Sequence, residues 1–142
     1  MVHTPMSAVR AIIVNDKNEL LFLRRANTAY MSGYWCLPGG KVDYNRTLAE
    51  AVKNEIKEET ALICTHQAFL FYWETLPGPQ WDTHCISFVF HCQTKGQVRL
   101  NEESDAYIWA GENQIDRLPW AFETDKIAVK YWRHFQQQKT RK

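Results

Sequence analysis

The segment "NEIKEET", residues 54–60, places three carboxylates, Glu55, Glu58 and Glu59, three and four positions apart. On a helix, such spacing makes side chains neighbours. Carboxylates gathered this way serve either a solvated helix face or a hard divalent cation bound through oxygen. Helix geometry separates the two readings. With Glu55 as origin and about 100° per residue, Leu48, Ala51, Val52 and Ile56 fall between roughly −40° and 100°, an apolar arc suited to a core. Glu50, Lys53, Asn54 and Lys57 fall at roughly 160° to 260° and already supply a solvent face. Glu55 and Glu59 lie at about 0° and 40°, along the apolar arc, with Glu58 at its edge near −60°. Two partly desolvated carboxylates about 5 Å apart repel by roughly 3 kcal/mol at an effective dielectric constant near 20, and each loses hydration. The segment has no Lys or Arg on that arc. A divalent cation is therefore the expected neutraliser, and Mg²⁺ suits carboxylate oxygens, retained water and substrate phosphates.

The elements that must position these groups can be read from periodicity and turn chemistry. Thr47 followed by Glu50 forms a capping box that opens a helix over 47–60. Just before it, Pro38-Gly39-Gly40 lets backbone approach a ligand closely. "AVRAIIVN" (8–15) and "ELLFLRR" (19–25) read as strands joined by the turn "DKNE", a hairpin. The segments 61–75 and 83–94 are further strands, the second with Ile86, Phe88 and Phe90 on one face and Ser87 and His91 on the other. "VRL" (98–100) and "DAYIWA" (105–110) are short strands, and 113–118 is a short helix. A final amphipathic helix spans 124–137, with Ile127, Tyr131 and Phe135 on one stripe. Residues 26–40 and 76–82 are loops. The order predicts one α+β domain over residues 1–142, with helices packed on a mostly antiparallel or mixed sheet.

Composition narrows the function classes. The formal net charge is +1, without the basic excess of a nucleic-acid scaffold. The basic tail "QQQKTRK" reads as a frayed, solvated terminus. The N-terminal stretch lacks the pattern of a signal peptide, and no apolar run approaches the ~18 residues of a membrane span. The four cysteines form no CxxC pair or zinc spacing, and His84 and His91 fall on opposite strand faces. Reduced thiols, a cytoplasmic location and no membrane or nucleic-acid polymer partner are expected.

"GGKVDYNRTLAEAVKNEIKEETAL" (39–62) resembles the Nudix hydrolase box: Gly, five residues, Glu, seven residues, Arg-Glu, an aliphatic, any residue, Glu-Glu, any residue, Gly, an aliphatic. Gly40, Glu55, Ile56, Glu58, Glu59 and Leu62 match in register. Outside it, "YWCLPGG" is similar to the usual lead-in, and Glu103 lies six residues before Trp109, as in many members. Three positions depart from the pattern. Arg46 stands for the box Glu, Asn54 for the box Arg and Ala61 for the last Gly. The Glu and Arg pair in the family, so losing both orphans neither charge. Ala61 suits a left-handed cap poorly, by ~1–2 kcal/mol, so a different helix end is expected.

The resemblance implies an α/β/α sandwich and Mg²⁺- or Mn²⁺-dependent hydrolysis of a nucleoside diphosphate linked to another group. It implies Glu55, Glu58, Glu59 and the Gly39 carbonyl as metal ligands, and either Glu55 or Glu103 as general base. Arg24 or Arg25 would hold a phosphate, Gly39 and Gly40 would line the site, and Trp81 is an aromatic candidate for the base. Pro77 and Pro79 lie where ADP-ribose-cleaving members often keep a proline, while "DTHCISFVF" (82–90) is similar to GDP-sugar hydrolases. ADP-ribose, nucleotide sugars and nucleoside triphosphates all stay open as substrates. The resemblance also implies a homodimer as an assembly option. Arg46 and Asn54 favour the competing reading, a Nudix-like domain that binds a nucleotide or partner protein with little catalysis.

Overall fold

Both faces of the first two strands are apolar, and this decides the architecture. The computed structural model describes residues 3–79 and 81–135. Val9, Ala11 and Ile13 of β1 (Met6–Ile13) and Leu21 and Leu23 of β2 (Leu20–Arg25) pack with Ala51, Val52 and Ile56 of α1 (Leu48–Thr60). Ile12, Leu20 and Phe22 turn the other way, to Ile127, Ala128, Tyr131 and Trp132 of α2 (Thr124–His134). Successive side chains thus enter opposite layers, and strands covered on both faces read as near-continuous apolar runs. The result is an α+β fold, a sandwich of helix, strands and helix.

The remaining strands are β3 (Trp35–Cys36), β4 (Gly39–Lys41), β5 (Ile63–Thr75), β6 (Cys85–Lys95) and β7 (Ser104–Ala110). One sheet has the order β4-β1-β6-β5 and the other β3-β2-β7. The first is mixed: β1 and β6 run parallel, from Met6 opposite Cys85 to Ile13 opposite Cys92.

The expected hairpin is corrected here. The turn exists, with Asn15 Oδ1 accepting from the N–H groups of Lys17 and Glu19, both at 3.0 Å. The strands it joins nevertheless pair only at Val14 and Leu20. The edges of β1 are taken by β4 and β6, so β2 crosses into the second sheet. The expected strand at 98–100 is also absent. That segment caps α1 instead: the Arg99 N–H donates to the Thr60 carbonyl at 2.8 Å, and Val98 and Leu100 pack below the helix. On β6, the Ser87 face is not solvated. Ser87 is buried and Val89 lies in the core, so this strand too is covered on both sides.

Helix α1 starts as expected, with reciprocal bonds between Thr47 and Glu50. Its end overturns the expectation for Ala61. The alanine adopts the left-handed cap, φ 65° and ψ 2°, and its N–H reaches the Lys57 carbonyl. Buried Thr60 steadies that end, its hydroxyl donating to the Ile56 carbonyl and accepting from the Leu62 N–H. The short helix is a 3-10 helix over Glu112–Arg117. In α2, Ile127 and Tyr131 are buried, and Phe135 packs on Phe71 at 5.0 Å. The last two positions of that expected helix, the basic tail, Met1, Val2 and Gln80 lie outside the described residues.

Replacing Ala61 by glycine removes the left-handed penalty while keeping every cap hydrogen bond. Ala61→Gly is expected to stabilise the protein by about 1 kcal/mol. Urea unfolding checks this: the midpoint should rise with an unchanged slope.

Candidate active site

The site begins at two glycines. Strand β4 pairs with β1, with Gly39 opposite Arg10 and Gly40 opposite Val9. Gly39 has φ 151°, and a Cβ there would lie 2.0 Å from the Val9 carbonyl oxygen, so only glycine lets the two strands meet. A Cβ on Gly40 would fall 2.6 Å from Glu55 Oε1. The space a side chain would fill is thus occupied by a carboxylate from α1. The Gly39 N–H donates to Glu59 Oε1 at 3.1 Å.

Glu55 and Glu59 are partly buried on α1, while Glu58 is exposed. This is the distribution that their angles on the helix require. Burial, followed by the adjacent Glu55 carboxylate, pushes Glu59 up to about 9. Burial likewise raises Glu55, with Glu58, Glu103 and Asp43 adding negative charge. These two groups cannot comfortably both be ionised without a proton or a cation between them.

They open into a cleft of about 440 Å³ that also receives Arg25, Asp43 and Glu103. Met6, Arg10, Thr28, Lys41 and Phe122 complete it. The Arg25 guanidinium lies 4.7 Å and the Arg10 guanidinium 5.7 Å from the centre of the Phe122 ring, within cation–π range. One side of the cleft is therefore anionic and another cationic, an arrangement suited to a metal–diphosphate ligand.

Of the residues singled out from sequence, Arg25, Gly39, Gly40, Glu55, Glu59 and Glu103 converge on this cleft. Arg24 is not among its lining residues. Its Nε bonds Asp105 at 2.7 Å, and its guanidinium lies 5.8 Å from the Trp35 ring. Glu58 is also outside the lining, and Trp81 lines an adjoining cavity. Arg10 and Phe122 were not singled out. Arg10 had a signal, a lone charge inside the apolar strand "AVRAII"; Phe122 had none.

Among the described residues, no three acidic, His or Cys side chains converge as a closed ligand cage. The donor set is nonetheless all oxygen, and the cradle left by Gly40 holds one of its carboxylates. This fits a hard dication that keeps waters and completes its shell with substrate phosphate.

Comparison with known proteins agrees with the geometry. The NUDIX domain model matches residues 4–131. An ADP-ribose pyrophosphatase of Methanocaldococcus jannaschii is 34% identical over 130 residues, covering 91% of this chain and 74% of that protein. The 8-oxo-dGDP phosphatase NUDT18 of Homo sapiens is 32% identical over 99 residues, 69% of this chain. The match spans only 28% of that longer protein. The MutT protein of Methanosarcina mazei Go1 superimposes with a TM-score of 0.79 at 26% identity, covering 96% of this chain and 100% of that one. A domain model that runs through nearly every element, from β1 into α2, leaves no ambiguity of lineage: the chain belongs to the Nudix hydrolase family.

Proposed function

We propose that the cleft hydrolyses the diphosphate linkage of a nucleoside diphosphate joined to a further group, with Mg²⁺ or Mn²⁺ as the working ion. The carrying observation is the partly buried Glu55–Glu59 pair, sharing its cleft with the Arg10 and Arg25 guanidiniums. ADP-ribose is the first substrate to test, because the archaeal relative that matches most of the chain bears that name. A nucleoside triphosphatase, NudI of Klebsiella pneumoniae, is 34% identical over 107 residues and keeps triphosphates in the panel.

Nudix hydrolases use divalent metal ions. Here Glu55, Glu58, Glu59 and the Gly39 carbonyl are the proposed ligands, with Glu58 exposed on the same helix outside the cleft lining. When bound, the ion neutralises charge on phosphate oxygens and lowers the pKa of the attacking water. The chain's own groups do the rest. Arg25 and Arg10 donate to the diphosphate, where a planar guanidinium can bond two oxygens at once. Gly39 N–H fixes the Glu59 carboxylate, which lacks the usual box Arg because Asn54 stands there with its side chain exposed. Glu55 or Glu103 accepts the proton of the attacking water.

Turnover of ADP-ribose or another nucleotide of the panel with Mg²⁺ or Mn²⁺ is expected, and Glu59→Gln should reduce kcat by ~10²-fold or more. Release of AMP or nucleoside monophosphate is the readout, and tight binding without metal-dependent turnover would favour a binding-only domain. Gly40→Ala should crowd Glu55 without altering φ preference, so the metal concentration for half-maximal rate should rise while the fold is kept.

Protonation gives a separate test. Glu59 sits at about 9 in the folded metal-free protein, against ~4.3 in an unfolded chain. Between those values the folded state holds a proton that the unfolded state has released, so stability falls as pH rises through that window. Melting curves of metal-free protein should show Tm declining from about pH 5 to pH 9. Added Mg²⁺ should raise Tm more at the alkaline end, and Glu59→Gln should flatten both trends.

A further inference from the structure

Arg10 and Arg25 share the cleft with Asp43, Glu55, Glu59 and Glu103. Cations beside acids in one cleft ordinarily close into ion pairs. Among the described residues these do not: neither guanidinium pairs with a carboxylate of the cleft. Arg25 gives its Nε–H to the Tyr30 carbonyl at 3.2 Å. Arg10, also among the described residues, has no side-chain hydrogen bond. What both meet is one ring. The Arg25 guanidinium lies 4.7 Å and the Arg10 guanidinium 5.7 Å from the centre of Phe122.

The ring reaches this place by an unusual backbone. Phe122 has φ 56° and Glu123 has φ 60°, two successive left-handed residues that are not glycine. Such conformations persist only when the surroundings over-determine them. Both flanks are pinned. Before the ring, the Ala121 N–H donates to the Trp35 carbonyl at 2.9 Å, and the Ala121 carbonyl accepts from the Thr124 hydroxyl at 2.6 Å. After it, the Glu123 carboxylate accepts from the Trp73 indole and the Lys126 ammonium, both at 3.1 Å. The chain is thus held in a disfavoured conformation that carries the ring to the arginines.

We propose that Phe122 is a positioning residue: its ring gathers the Arg10 and Arg25 guanidiniums into one clamp for the diphosphate without cancelling their charge. The proposal rests on the reading in which these arginines bind the diphosphate. Chemistry supports the choice of ring. An aromatic face attracts a cation through its quadrupole but carries no net charge, so the clamp keeps its full positive charge for phosphate oxygens. A carboxylate in the same place would hold the arginines more tightly, yet it would neutralise them and lose its oxygens to the pair. Geometry supports the sharing. Arg10 comes from β1 and Arg25 from the end of β2, strands of different sheets. Two guanidiniums drawn to one place repel each other, and attraction to a common ring offsets that repulsion.

Calorimetric titration with methylenediphosphonate, a diphosphate analogue that resists hydrolysis, tests this at saturating Mg²⁺ and independently of turnover. Phe122→Leu keeps bulk without a π face, and Phe122→Gly suits the left-handed backbone while removing the ring. Both should weaken diphosphonate binding by about tenfold, whereas Phe122→Tyr, which keeps the face, should stay within about threefold of the unaltered chain. Mn²⁺ affinity without diphosphonate should be the same in all three variants, which also reports that their carboxylate site is folded. In the Phe122→Leu background, Arg10→Ala should cost less affinity than it does alone, as expected of residues that act together. Undiminished diphosphonate binding in the Leu and Gly variants would overturn the proposal. So would an equal loss in Phe122→Tyr, or losses for Phe122→Leu and Arg10→Ala that simply multiply. An unaltered chain that binds no diphosphonate would overturn the diphosphate reading and the clamp with it. Failure of hydrolysis with these binding results intact would count against the hydrolase reading alone.

Discussion

Glu55 and Glu59 lie side by side, partly buried, and the Gly39–Gly40 backbone is what makes room for them. A side chain on Gly40 would collide with one carboxylate, and the amide of Gly39 holds the other. The charge pair therefore locks three elements together: β1, β4 and α1. Its cost is partial desolvation of two like charges. A proton retained by Glu59 offsets that cost in the folded chain, and the pair ties the helix position to the cleft.

Among the left-handed non-glycine residues, three flank the acidic helix and the cleft. Ala61 ends the acidic helix in a conformation better suited to glycine, and Phe122 and Glu123 share a similar one beside the cleft. Ala61 is held by its N–H bond to the Lys57 carbonyl, and Glu123 by bonds from the Trp73 indole and the Lys126 ammonium. Strain at a residue that lines a site, as at Phe122, is tolerated where side-chain placement matters more than local comfort.

Local chemistry was legible in the sequence. The capping box, the helix span and the arc carrying Glu55 and Glu59 follow from spacing alone, and burial agrees with them. Non-local choices were not legible. The turn after β1 was readable, but its flanking strands enter different sheets because distant strands claim the edges of β1. "VRL" has strand-like residues, yet its backbone satisfies a helix end rather than a ladder. Phe122 gave no signal at all, since its neighbour Glu123 is held across the fold by the Trp73 indole. Arg24 and Arg25 are adjacent in sequence, yet only the second enters the cleft, because Asp105 claims the first.

The parallel contact between β1 and β6 carries a kinetic consequence. Met6 meets Cys85 only after the chain has looped through the whole acidic helix and β5. Closing so long a loop is entropically expensive and slows folding relative to local pairing. During synthesis, the first strand must wait for the sixth before its sheet can close. β4 and α1, which frame the carboxylate pair together with β1, also precede β6, so the elements of the cradle are synthesised before the sheet that backs them can close.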